Sequence, residues 1–413
     1  MTAVRTTFPA AGEYRPRPAA IDRAGVADAR YAPRDAPPTP VLRLLHTADW
    51  QIGKQYGQFD ADEAALLAEA RIAAVERLAV LATEQRVDLV LVAGDVFDAQ
   101  GIADKTVLRL FNATRAHAGP WVMIPGNHDA ALSESVWTRA QRLNAVPDNV
   151  HLCLQPEPLR FDGLNAVVLP APLTQRHTYN DLTDWFAAAD TPDGVFRIGI
   201  AHGAVQGLLA DGIDSANPIA ADRAAQARLD YLALGDWHGC RQVDARCWYS
   251  GTPETDRFRN NDSGRALIVD IDAPGAVPRV TPVDTGRYRW RSEAFTLQVA
   301  SDVDALCALL GALAADDVLQ LDIDGRTDLD GLTRIGDAIT QARGRARAVL
   351  AELDRVRIEP TADDLERLAA EGYLGEVIAD LRAAQDGADG DTARDALVLL
   401  AGLLDARRAG VTR

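Results

Sequence analysis

Val87–Ala93 reads VDLVLVA, an apolar run with a single acid near its start. A strand of this kind offers water no polar face, so it must be covered on both sides. Val41–Thr47, Pro120–Ile124, Phe196–Ala201 and Tyr231–Leu234 read as further strands of the same type. Ala61–Gln85 and Ile102–Ala118 have helical spacing, and an Ala-rich stretch that also reads as helical lies between the strands ending at Ala201 and beginning at Tyr231. Helices alternating with strands buried on both faces predict an α/β layered fold.

A chain of 413 residues is long enough for two or three domains. After about residue 255 the character changes. Ala266–Ile271 and Tyr288–Val299 look like longer strands. Residues 301–358 then read as helix, strand (Val318–Ile323), helix, strand (Ala348–Ile358). From Thr361 the chain is helical and acidic, ending near Leu404. The expected division is a disordered Pro/Arg-rich tail at 1–40, a main domain at 41–285, a small α/β cap at 286–360 and a helical segment at 361–413. The first 40 residues hold seven of the 21 prolines and six Arg against four acids, with no hydrophobic period. Val41, where the first strand begins, would be an alternative start.

The net charge of −17 argues against a protein that coats DNA through a general basic face. Residues 301–413 alone carry −10. An apolar fraction of 47% excludes wholesale disorder. No apolar run approaches the roughly 20 residues needed to span a bilayer, and the N-terminal residues lack the apolar core of a signal peptide. Cys153, Cys240, Cys247 and Cys307 are scattered, without a C-x-x-C spacing. A cytoplasmic protein without membrane contact is the expectation.

The informative feature is the polar cluster at the end of each strand. The first strand ends in His46-Thr47-Ala48-Asp49-Trp50-Gln51, the second in Gly94-Asp95-Val96-Phe97-Asp98, the third in Gly126-Asn127-His128-Asp129. Later strands end in Ala201-His202-Gly203 and Gly235-Asp236-Trp237-His238-Gly239. Ligands of α/β sheets gather beyond the carboxyl ends of the strands. Taken singly, Asp49 is also a helix cap, Gly94-Asp95 a turn and His202 a hydrogen-bonded core histidine. A turn rarely requires both Asn127 and His128. Together the five ends deliver oxygen and imidazole groups without thiolate, the set expected for Mn²⁺, Fe or Mg²⁺ rather than structural zinc. Two such ions about 4 Å apart clamp the attacking and leaving oxygens of a phosphate ester.

The ordered set D-x-[H/Q], GD-x-x-D, GNH-[D/E], H and G-x-x-H, over residues 42–256, resembles the calcineurin-like metallophosphoesterase superfamily. The Leu45–Trp50 opening and Tyr249-Ser250-Gly251-Thr252-Pro253-Glu254 resemble its SbcD-type DNA repair nuclease branch, whose members partner the SMC-type ATPase SbcC. The resemblance implies a four-layer β-sandwich flanked by helices, with an α/β cap and C-terminal helices that grip the ATPase. By motif, Asp49 and Gln51 would hold one ion, Asp95 would bridge two, Asn127 and His202 would hold the second, and His238 would return to the first. His128 would protonate the leaving oxygen, Asp98 would orient His128, and a bridging hydroxide would attack phosphorus in line.

Two positions depart from the family pattern. Gln51 stands where His is common, and Asp236 stands where the last motif commonly has His. As ligands, both would shift the site toward harder ions, Mn²⁺ or Mg²⁺; otherwise the chain is a weakened nuclease kept as a scaffold. Three functions follow: a DNA end-processing nuclease subunit, a small-molecule (cyclic) nucleotide phosphoesterase, or a catalytically weak scaffold for an SMC-like ATPase. A homodimer is implied by the resemblance alone. Trp50, Trp237 and Trp248 flank the motifs and either stack on bases or pack beneath the loops. Arg257 and Arg259 are phosphate contacts or solvated arginines. Leu365, Leu368, Leu374, Val377, Ile378 and Leu381 form a helical stripe, interrupted by Gly372 and Gly375, for a partner or for the chain itself. His46 reads as structural, Cys240 and Cys247 as free thiols. Lys54, one of two lysines beside 41 arginines, takes no role from composition.

Overall fold

In the computed structural model, the described residues are 42–207, 216–359 and 373–408. The tail at 1–40, Val41, Leu365, Leu368 and Gly372 lie outside them.

Two six-stranded sheets face each other. The first runs, edge to edge, Arg279–Asp284, Arg265–Ile271, Leu42–Thr47, Leu89–Ala93, Trp121–Ile124 and Val150–Leu152. The second runs Arg241–Gln242, Cys247–Tyr249, Tyr231–Gly235, Phe196–His202, Ala166–Ala171 and Leu159–Phe161. The 89–93 strand explains the arrangement. Leu89, Leu91 and Ala93 point into the core between the sheets, against Phe196, Ile198, Ile200 and Tyr231. Val90 and Val92 point to the other side, where Val75, Leu78, Leu110 and Phe111 of two helices, Ala61–Glu84 and Asp104–Ala113, cover them. On the outer face of the second sheet, Phe186, Ala224 and Leu229 pack on Val167, Leu169 and Leu232. Alternation within an all-apolar strand thus serves two hydrophobic layers at once, giving the expected four-layer sandwich.

The strands at 42–47, 89–93 and 121–124 are mutually parallel, as are those at 166–171, 196–202 and 231–235. Parallel pairing places their carboxyl ends along one edge. There the loops continue the ladder: the N–H groups of Asp49, Gln51 and Ile52 donate to the carbonyls of Gly94, Asp95 and Val96 at 3.0, 2.8 and 2.9 Å.

Two readings need correction. The Ala-rich stretch before Tyr231 is helical, among the described residues, only at Arg223–Gln226. Ala204–Val205 instead pairs with Pro218–Ile219, because Gly203, Gly207 and Pro218 break helical continuity. Residues 150–171, unassigned by pattern, supply three strands; two of these have only three residues, too few for a period.

A third, parallel sheet follows: Arg289–Leu297, Asp317–Thr327 and Ala348–Ile358, packed on helices Ala300–Gly311 and Leu329–Arg345. Tyr56, Phe59, Leu67 and Ala70 meet Phe258, Tyr288, Trp290, Val318 and Ala348 in an aromatic seam, with Phe258 and Trp290 ring centres 4.8 Å apart. Helices Tyr373–Ala384 and Gly390–Arg408 complete the described chain. Leu374, Ile378 and Leu381 pack on Ile358, Leu329 and Leu332, so this part of the stripe is covered by the chain itself. No described helix is long and apolar enough to cross a membrane.

Candidate metal centre

The strand-end groups converge. Ligating atoms of Asp49, Asp95 and His202 lie within 4.8 Å of one another, all buried. His202 Nε2 is 2.9 Å from Asn127 Oδ1, 3.5 Å from Asp95 Oδ1 and 3.7 Å from Asp236 Oδ1. Its Nδ1–H donates to the Ala93 carbonyl at 2.8 Å, which fixes the tautomer and aims Nε2 inward. The Asp49 carboxylate accepts the Asp236 N–H, 3.2 Å from both of its oxygens. Asp95 Oδ1 accepts the His128 N–H at 2.9 Å. Gln51 and His238 complete the cluster, with Gln51 Nε2 3.2 Å from His238 Nε2 and 3.4 Å from Asp95 Oδ2.

Four of these residues have left-handed backbones: Asp49 at φ 54°, Gln51 at 42°, Asp95 at 51° and Asp236 at 100°. Non-glycine residues in this region cost about 1–3 kcal/mol each when other contacts force them there. The strain has an identifiable support. Arg71, fully buried on helix 61–84, donates to the carbonyls of Trp50 (2.6 Å), Asp49 (2.8 Å) and Glu254 (3.1 Å) and to Thr252 Oγ1 (3.0 Å). Asp129 ties the second and third loops, accepting the N–H groups of Gly126 at 2.7 Å and Phe97 at 3.0 Å. Burial, then the Asp95 charge, pushes its carboxyl up to about 8.

The donor chemistry fits divalent cations. Burial pushes the Asp49 carboxyl up to about 6, and His238 and His202 only partly offset this. Burial alone would lower His202, yet Asp95, Asp49 and Asp236 raise its imidazole to about 9. A pocket that holds a proton this firmly on a fully buried imidazole is short of positive charge, and a cation supplies it.

His128 is partly exposed. Its Nδ1 is 2.8 Å from the main-chain carbonyl of Asp98 and 3.9 Å from that residue's carboxylate, so the close contact runs through the backbone. A pocket of about 200 Å³ opens beside it, lined by Asp98, Asn127, Leu132 and Arg176.

Sequence reasoning missed Asp256. This buried carboxylate lies 3.1 Å from His238 Nδ1 and 3.2 Å from Lys54 Nζ. Burial works against it, but His238, Arg71 and Arg257 hold it well below the usual carboxylate range. The only signal was its place between Glu254 and Arg257. Trp50 is buried and donates to Thr47 Oγ1 at 2.9 Å, so it packs beneath the loop. Trp237 and Trp248 pack against the second sheet's clusters. His46 bonds Tyr231 and Leu234, and burial drives its imidazole down to about 3, matching a structural role. Cys240 and Cys247 are free thiols. Arg257 joins the site and Arg259 is exposed.

Residues 42–269 match the sequence model of the calcineurin-like phosphoesterase family. The chain belongs to that family. Members bind divalent metals, and this one carries the candidate site just described. Over 214 residues the chain is 30% identical to the uncharacterized metallophosphoesterase YhaO of Bacillus subtilis, covering 49% of this chain and 50% of YhaO. Over 97 residues it is 35% identical to the SbcD component of the nuclease SbcCD of Rhodobacter capsulatus, covering 22% of each. The chain thus spans half of YhaO's length and less of the nuclease component. The crystal structure of TT1561 of Thermus thermophilus aligns with a TM-score of 0.38 at 12% identity, over 59% of this chain and 99% of that one.

One phosphoesterase loop has no room for change. A Cβ on Gly126 would lie 2.1 Å from Asp95 Oδ1 and 2.5 Å from its backbone nitrogen. Gly126→Ala is expected to displace Asp95 and lower kcat/KM on a phosphoester about 100-fold, the scale of a 1 Å misplacement. Steady-state kinetics alongside a thermal melt checks this.

Proposed function

We propose that this phosphoesterase is a Mn²⁺-dependent phosphodiesterase acting on DNA ends, the nuclease subunit of an SbcCD-like complex with an SMC-type ATPase. The observation that carries a hydrolytic role is the convergence of Asp49, Asp95, Asn127, His202, Asp236 and His238 at one edge of the two facing sheets, with Asp49, Asp95, His202 and His238 buried. The stretch similar to the SbcD component of SbcCD supports the DNA reading. In this reading residues 41–285 carry the chemistry, 286–360 form a cap and 361–413 engage the ATPase.

Asp49, Asp95 and His238 would hold one ion; Asp95, Asn127, His202 and Asp236 the other. Divalent ions supply charge stabilisation at the phosphate oxygens and a water of lowered pKa. The chain's own contribution is positional. Asn127 Oδ1 and His202 Nε2 lie side by side, 2.9 Å apart, and His128 is aimed by the Asp98 carbonyl at its Nδ1, with no hydrogen bond at Nε2 to hold it from the leaving oxygen. Protonated there, it donates to the departing alkoxide.

The test compares linear duplex DNA, single strands and bis(p-nitrophenyl) phosphate, with Mn²⁺ and with the ATPase present. Duplex cleavage is expected; activity on the chromogenic diester alone favours a small-molecule phosphoesterase, and an inert protein overturns the proposal. His128→Ala is expected to lose about 10²–10⁴-fold in kcat while keeping its Mn²⁺ content, read by elemental analysis.

A further inference from the structure

Lys54 stands out by its surroundings. Its Nζ lies 3.1 Å from Gln51 Oε1, 3.2 Å from Asp256 Oδ2 and 4.0 Å from Asp98 Oδ1. An ammonium carries three N–H donors and no acceptor. Here it hydrogen-bonds Gln51 and sits in ion-pair range of carboxylates from two other loops, an arrangement suited to a compact point charge. In a chain with 41 arginines and two lysines, a lysine occupies this position.

A donor-only neighbour settles the orientation of the Gln51 amide. Oε1 faces Lys54, so Nε2 faces Asp95 and His238. On the far side of the imidazole, His238 Nδ1 is 3.1 Å from the Asp256 carboxylate and 2.8 Å from Arg257 Nη2. Turning the amide over would set its NH₂ against the ammonium and remove the oxygen that Lys54 bonds.

We propose that Lys54 turns Gln51 away from metal ligation and so makes the Gln51–His238 side of the centre its weaker cation pocket. This rests on the two-ion reading above. A cation on that side competes with Gln51 for the space in front of His238 Nε2 and has Asp49 and Asp95 as its other donors. It also meets the charge of Lys54 and of Arg257, whose Nη2 is 3.1 Å from His238 Nε2. The opposite side keeps four oxygen and imidazole donors: Asp95, Asn127, His202 and Asp236. Among the described residues, no lysine or arginine is hydrogen-bonded to those four side chains. Lys54 is therefore a positioning residue, acting on the metals through Gln51.

Calorimetric titration of the full chain with Mn²⁺ tests this. The wild type is expected to show one tight and one weaker site. Lys54→Met keeps the aliphatic stem, frees Oε1 and tightens the weaker site about 10-fold, the low end for changes behind a ligand. Gln51→His tightens the same site with Lys54 still in place, a second route should Lys54→Met fold poorly. In a Gln51→Ala background Lys54→Met gives less tightening, because no carbonyl is released. Two equal sites in the wild type, or a weaker site unmoved by Lys54→Met, overturns the inference. Hydrolysis of bis(p-nitrophenyl) phosphate by the same wild-type sample separates the two readings. Activity with unmoved isotherms overturns only the role of Lys54. An inactive wild type counts against the proposed function, while the isotherms still decide Lys54.

Discussion

Asp95→Asn is expected to lower kcat/KM on a phosphodiester about 10³-fold, the rate equivalent of roughly 4 kcal/mol of lost charge stabilisation. The change is close to isosteric, and the Oδ1 that accepts the His128 N–H is retained. The loss is of a buried negative charge shared by both sides of the centre. That charge also raises the carboxyls of Asp49 and Asp129. The metal-free variant should therefore melt higher than the metal-free wild type, while binding less Mn²⁺. Opposite movements of Tm and activity separate a functional carboxylate from a structural one. Thermal melts in chelator, metal analysis and steady-state kinetics on one preparation check all three.

Arg71→Leu is expected to cost about 3–5 kcal/mol, the range for removing one member of a buried charged network. The loss has a local cause. The carbonyls of Asp49, Trp50 and Glu254 share this one guanidinium, and a leucine leaves them buried without it. Asp49 and Gln51 hold positive φ only while such contacts outweigh the strain. Mn²⁺ affinity should fall along with the denaturation midpoint in urea. Arg71→Lys should recover only part of either, since one ammonium cannot reach the acceptors that the guanidinium spans.

The sandwich was legible because its central strands are apolar on both faces, and Val87–Ala93 has few other ways to exist. The site groups were legible for a related reason. Asp49, Asp95 and Asn127 come shortly after a strand and His202 ends one, so order along the chain maps onto position in space. The hidden part depends on distance in sequence. Lys54 and Asp256 are about 200 residues apart, and neither comes directly after a buried strand. Their meaning comes only from the loop packing that sets them 3.2 Å from each other. Arg71 looked like one more charge on an amphipathic helix, although it is 2% exposed. The short strands at 150–152 and 159–161 lacked the length for a period, and sheet pairing rather than pattern makes them strands.

The aromatic seam has a practical side. Tyr56 and Phe59 follow Lys54 by two and five residues, and Phe258 immediately follows Arg257; their covering partner Trp290 belongs to the third sheet. A polypeptide stopped at Asp284 would keep every group of the metal centre and present those three rings to water. Exposed rings side by side are adhesive, so such a fragment should clump before its chemistry fails. Anyone producing the phosphoesterase half alone will need either the third sheet as its lid or polar replacements at Tyr56, Phe59 and Phe258.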